Sequence, residues 1–216
     1  MAESRQQNRK KQALNDIESK GHRLSRMATH AIEDQVAIER QLGFLPTNVH
    51  SVAARADSAG DPTVLKLYPL AVSLKGARAG NADRQPFPTM YWLSCPSLKA
   101  AVSQLENQGL VNEWEQRLKA SPELLAEMAA AHKCYAEERW AMLSEADVET
   151  IKRRGWEPSL GSTVGAGGVS TARPGTIKCL HAHLAHFLAT GQNVVGKWAQ
   201  DALHTGRHLP HEDTAP

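Results

Sequence analysis

Pro88-Thr89-Met90-Tyr91-Trp92-Leu93-Ser94-Cys95-Pro96-Ser97-Leu98-Lys99-Ala100-Ala101-Val102-Ser103-Gln104-Leu105 is where the chain changes its period. Residues 88–95 are rich in β-preferring side chains and read as the best strand in the chain. Pro96 ends it. Beyond it Leu98, Ala101, Val102 and Leu105 recur at helical spacing, with Ser97 as the expected N-cap and Gly109 as the stop. A sheet before this point and helices after it define an α+β fold.

Upstream, residues 49–55 and 63–68 read as two further strands, separated by turn chemistry at 57–62. Three strands broken by turns predict a small antiparallel three-stranded sheet packed on a helical C-terminal half. Residues 73–86 read as an exposed Gly/Arg/Asn/Asp loop, and residues 31–43 as a short amphipathic helix with Ile32, Val36 and Ile38 that Gly43 stops. Residues 1–30 form a basic, partly disordered or helical extension: Arg5, Arg9, Lys10, Lys11, Lys20, Arg23 and Arg26 stand beside a thin stripe of Leu14, Ile17, Leu24 and Ala28. The extension reads either as a solvated face or as an arm that docks an acidic partner. No aromatic interleaves its charges, which argues against nucleic acid.

Downstream, Leu110, Trp114 and Leu118 share a face of a helix over 110–119. Ser121-Pro122-Glu123 opens a helix that runs to about 141, and Ser144-Glu145-Ala146-Asp147 opens another that Gly155 ends. Residues 155–175 give no element. Thr176 is the expected cap of a helix that Gly191 ends, and a last helix covers 195–205 before a tail at 206–216. Residues 31–205 are expected to be a single domain.

Composition bounds the function. A chain of 216 residues with 41% hydrophobic side chains can bury a real core, and a net charge of +2 gives no general attraction to polyanions. No apolar run reaches the ~18 residues of a membrane span. The N-terminus lacks the apolar stretch of a secretory signal, and Glu3, Asp16 and Glu18 do not suit a transit peptide. The three cysteines, Cys95, Cys134 and Cys179, are odd in number and widely spaced, which predicts a reducing, cytoplasmic setting.

The chemistry concentrates in Lys178-Cys179-Leu180-His181-Ala182-His183-Leu184-Ala185-His186. On an ideal helix Ile177, Leu180, Leu184, Phe187 and Leu188 share an apolar face, while Cys179, His183 and His186 fall together on the opposite side. His181 lies at the border. A thiolate and imidazoles so arranged suit zinc or iron, and Cys95 at the strand end is the expected partner that closes the site. Cys179 also sits beside Lys178 in a first helical turn, where a thiolate is favoured and could act as nucleophile with His186 as base. The plainer alternatives are that Cys179 and His181 are core residues and that His183 and His186 are exposed polar groups. Cys134 and His132 read as incidental helix-face residues. Gly165, Gly167 and Gly168 precede the helix, so their amides and Lys178 could hold a phosphate or carboxylate. A flexible connector is the alternative.

Two motifs together carry a family resemblance. Thr89-Met90-Tyr91-Trp92-Leu93-Ser94-Cys95-Pro96 resembles a T-x-Y-[WY]-L-x-C-P segment, and Lys178-Cys179-Leu180-His181 with Ala185-His186 resembles a K-C-L-H-x-x-x-A-H segment, of the family called domain of unknown function 501. The resemblance covers roughly 33–205. It implies no established activity. It does imply that Cys95 and Cys179 belong together, and it moves weight from His183 to His181, which requires the helix to begin late. The resulting expectation is a metal-binding protein, with zinc or iron held by Cys95, Cys179 and two of His181, His183 and His186, hydrolase-like on a small anionic substrate. The alternative is a non-catalytic interaction module with a structural Cys/His core and a basic docking arm.

Overall fold

The computed structural model describes residues 32–56, 60–72 and 84–205. The expected basic extension, most of the 73–86 loop and the tail lie outside these residues. Strands β1 (Val49–Arg55), β2 (Pro62–Leu67) and β5 (Tyr91–Leu93) pair antiparallel in the order β1-β2-β5. A second pair, β3 (Leu70–Val72) with β4 (Arg84–Pro86), was not anticipated. The 73–86 segment therefore ends in a strand, and the 88–95 strand is regular only at Tyr91–Leu93.

Strand β2 is central, and its alternation explains the layering. Val64 joins the main core, while Leu65 and Leu67 face the other way and pack with Ile38. Ile38 belongs to helix α1, residues 32–42, whose Ile32 and Val36 stay exposed. The opposite side of the sheet carries the helical half: α2 (Pro96–Asn107), α3 (Leu110–Ala120), α4 (Pro122–Ala141), α5 (Glu145–Arg154), α6 (Glu157–Leu160), α7 (Leu180–Thr190) and α8 (Val194–Thr205). This is the α+β architecture the change of period predicts.

Caps set most helix ends. Ser121 accepts the Leu124 N–H and Ser144 accepts the Asp147 N–H, as expected, and Gly155 and Gly191 end their helices in the left-handed conformation. Two caps differ from expectation. Pro96 takes the first helical position of α2, so Cys95 rather than Ser97 is the N-cap. Helix α7 begins at Leu180 with Cys179 as N-cap, three residues later than the helix that Thr176 would have capped.

The segment between α5 and α7 is ordered. It contains α6, a short 3-10 turn at Ala166–Gly168 and a bridge between Val164 and Ser170. Arg139 of α4 anchors it. Its buried guanidinium donates to the carbonyls of Leu160, Gly161, Val164 and Pro88. A hydrogen-bond-rich side chain thus does what secondary structure does elsewhere, satisfying backbone groups in a buried loop.

Helix α7 is the centre of the helical half. It packs on β5, α2, α8 and the 3-10 turn, so it is covered on several sides at once. A helix so placed cannot keep a polar face in solvent. His183 and His186 are accordingly buried, not exposed. His132 of α4 is buried too, so it is not an incidental surface residue.

Candidate functional site

The late start of α7 fixes what its first residues can do. Cys179 has extended backbone angles and its side chain makes no cap bond, which leaves the first helical N–H groups in need of acceptors. Glu106, the penultimate residue of α2, supplies one: its Oε1 accepts the Leu180 N–H at 2.7 Å. A carboxylate at this end of the helix is favoured by the helix dipole as well. The same oxygen lies 3.2 Å from Nδ1 of His181, and the Cys179 sulfur lies 3.6 Å from that nitrogen.

Glu106, Cys179 and His181 each offer one donor atom, and these three atoms lie within 4.8 Å of one another, all on partly buried side chains. Among the described residues this is the group of three or more metal-capable side chains. The other side of the imidazole is also engaged. His181 Nε2 stands 3.1 Å from the Lys99 carbonyl and 3.3 Å from the Ser103 hydroxyl. Lys99, Ser103 and Glu106 recur at i, i+4 and i+7, a polar stripe on α2 aligned with the first turn of α7. His181 is held at about 9, raised chiefly by its bond to Cys179, against burial, with the Lys99 carbonyl and the Glu106 charge adding to it. The cluster therefore stabilises a cation beside a thiol and a carboxylate.

His183 and His186 occupy a different environment. Asn193, at the start of α8, presents its amide nitrogen to Nδ1 of both rings, at 3.0 and 3.2 Å, while its oxygen accepts the Gly196 N–H. Tyr91 stacks on His186 at 5.7 Å between ring centroids, and Tyr135 meets it edge-on at 5.1 Å. Burial pushes His186 down to about 4 and His183 to about 3, and the neighbouring His132, itself lowered to about 4 by burial, pushes both further down. These are neutral imidazoles in the buried core.

The remaining expected residues are placed as follows. Cys95 caps α2 and its sulfur lies 3.2 Å from the Ser97 hydroxyl; it is not among the clustered donor atoms. Lys178 donates to the Gly168 carbonyl at 2.7 Å. The amides near Gly165, Gly167 and Gly168 are largely consumed by the turn itself: Gly165 N–H donates to Val169, Gly168 N–H to Gly165, and Ala166 N–H to Nδ1 of His132. Glu106 is the donor that sequence reading missed. Its signal was the polar i, i+4, i+7 stripe on α2. A cleft of about 740 Å³ lined by Trp140, Pro158 and Ser162 shares no residue with the cluster.

The fold and the cluster define a class: an α+β protein whose central helix opens with a partly buried Cys/His/Glu constellation. Within that class the chain belongs to the protein family of unknown function DUF501, whose model matches residues 53–201. No curated protein and no solved structure matches it. No helix among the described residues is long and apolar enough to cross a membrane.

Proposed function

We propose that this protein binds a transition-metal ion, zinc or iron, through Glu106, Cys179 and His181. The observation that supports it is the state of the His181 ring. Metal-bound histidines commonly donate their second ring N–H to a carbonyl or carboxylate, which fixes the tautomer. His181 has the Lys99 carbonyl at Nε2, which leaves Nδ1 for the ion, on the side where the sulfur and carboxylate converge. One sulfur, one nitrogen and one oxygen suit zinc or iron and do not suit magnesium or calcium. Three protein donors leave a coordination position free, and an ion with such a position lowers the pKa of bound water for hydrolysis. Cys95, His183 and His186 are not needed in this reading.

The test is metal content. The purified protein should carry near-stoichiometric zinc or iron by elemental analysis. Glu106→Gln keeps an oxygen for the Leu180 N–H and removes the charge, so it should lose metal while keeping its fold. Full metal occupancy in Glu106→Gln and in Cys179→Ser would sink the proposal.

A second reading has its own support. A thiol 3.6 Å from an imidazole raised to about 9, at the N-terminus of a helix, has the placement of a nucleophilic cysteine beside its histidine. In a nucleophilic relay, however, the base uses one nitrogen for the nucleophile and the other for the orienting acid. Here Cys179 and Glu106 meet the same nitrogen, which is convergence and not a relay. A chelator-treated protein that reacts no faster with a thiol reagent than the metal-loaded form would favour the thiolate reading.

A further inference from the structure

We infer that His132 and His183 form a second ligand site, for a small monovalent anion, beneath the Gly165–Gly168 turn. This inference is independent of the metal proposal. It starts from two atoms. Nε2 of His132 and Nε2 of His183 are both buried, on residues with 0% exposure, and neither has a hydrogen-bond partner. Leaving such a group unpaired forfeits its hydration with nothing in return. The Pro174 carbonyl approaches His132 without making a bond of normal geometry.

The hydrogen bonds on the other side of each ring decide what these atoms are. Ala166 N–H donates to Nδ1 of His132 at 3.1 Å. Asn193 donates through its amide nitrogen to Nδ1 of His183 at 3.0 Å. The Asn193 oxygen, oriented by the Gly196 N–H, stands farther from the same Nδ1, at 3.2 Å, so the amide nitrogen is the nearer partner. Both Nδ1 atoms are therefore acceptors, and in the neutral rings both Nε2 atoms carry the proton. Two buried N–H donors look for one acceptor. A metal ion is the wrong occupant, because each ring would have to give up its only proton to bind it. His181, with acceptors at its second nitrogen, is the opposite case.

Three further features favour an anion over a neutral acceptor. The two rings are neighbours, edge to face at 5.8 Å between centroids, so an occupant that both Nε2 atoms share has to be small. Arg139, on the same α4 face as His132 about two turns on, is a fully buried cation whose partners are carbonyls and a tyrosine ring, with no acid paired to it among the described residues. Gly167, at φ +68, leaves open the space beside His183 Nε2, where a Cβ would come within 3.8 Å of that nitrogen. The carbonyls of Gly161 and Val164 bind Arg139, the Ala166 amide binds His132, and the Gly168 carbonyl binds Lys178, so the 161–168 segment is tied to two cations and to one ring of the site.

The test is nitrogen-detected NMR of the full-length, uniformly ¹⁵N-labelled protein in a buffer whose only anion is a bulky sulfonate. His132 and His183 should both appear as Nε2–H tautomers. Sodium formate and sodium chloride, added in separate arms, should move those two resonances saturably and raise Tm, and the arm that saturates at lower concentration names the anion type. An Nδ1–H tautomer at His183, or shifts that grow with ionic strength and never saturate, would overturn the site and leave water as the acceptor. In His183→Phe the anion-dependent rise in Tm should vanish, and its persistence would overturn the assignment equally. Should that variant not fold, the wild-type spectra decide alone.

Discussion

Helix α7 carries histidines in two environments, and the partner of the second ring nitrogen separates them. His181 faces acceptors at both nitrogens: Glu106 and Cys179 on one side, the Lys99 carbonyl on the other. The fold supports charge there, and the ring is raised to about 9. His183 and His186 face a donor at Nδ1, the Asn193 amide, and lie fully within the core, where burial lowers them to about 3 and about 4. Two residues along one helix thus turn a group suited to cations into one that excludes them. A histidine count is a poor guide to a metal site; what each ring can donate or accept is a better one.

The largest expected effect breaks the comparison by acid. His132 and His186 have folded-state values near 4, below the 6.5 of an unfolded chain. Their contribution to stability is present in full above pH 6.5, shrinks as pH falls because the unfolded chain takes up protons first, and is gone once pH passes through about 4. Each shift corresponds to about 3 kcal/mol, and the rings interact, so the total is a few kcal/mol and not a simple sum. Urea unfolding at a series of pH values should show stability falling steeply between pH 6.5 and 4. A flat profile there would mean that these rings are not buried neutral.

A smaller effect isolates the polar hub of the buried group. Asn193 has φ 100, so Asn193→Gly removes the amide without straining the backbone. It leaves two ring nitrogens and the Gly196 N–H without their partner. The expected loss is about 2–4 kcal/mol in denaturant midpoint terms, with metal content unchanged. Unchanged stability would show that the two imidazoles find other partners and that Asn193 does not set their tautomers.

Much of the fold was legible, because its signals are local. The period change at Pro96, the capping serines 121 and 144, and the glycines 155 and 191 each act within a few residues. What was hidden is long-range. The β3–β4 pair joins segments whose own side chains do not announce a strand. The start of α7 depends on Glu106, seventy-four residues away in sequence, and no local pattern shows a cap supplied from another helix. The site follows the same rule. Cys179 and His181 stood out by proximity, whereas Glu106 joins them only once α2 lies against α7. The helical wheel put His183 and His186 on a polar face because it could not see that α7 is covered on several sides. His132 shares its helix face with Met128, Tyr135 and Arg139, all buried, and that spacing was the signal for its burial.

On the other side of the comparison, His181→Ala should cost little stability, on the order of 1 kcal/mol, since the ring is only partly buried. It should nonetheless abolish near-stoichiometric metal in the purified protein. His186→Ala should do the reverse, losing about 2–4 kcal/mol of stability while leaving metal content intact. Calorimetric metal titration together with thermal unfolding reads both. Loss of metal in His186→Ala, in a variant that remains folded, would merge the two environments that the structure keeps apart.

The smallest expected effect sharpens the His181 side. Ser103 touches Nε2 of His181 at 3.3 Å and itself donates to the Lys99 carbonyl at 3.1 Å. That carbonyl is the nearer partner of Nε2, at 3.1 Å, and Ser103→Ala leaves it in place and frees it from a competing donor. Removing an outer partner of a metal-bound histidine usually costs roughly 10–100-fold in affinity. Here the loss should fall below tenfold, because the hydroxyl is the secondary partner and the backbone acceptor cannot be mutated away. A loss of a hundredfold would mean that the serine, not the carbonyl, fixes the His181 tautomer. The orientation of the proposed ligand would then depend on a side chain of α2 and not on its backbone.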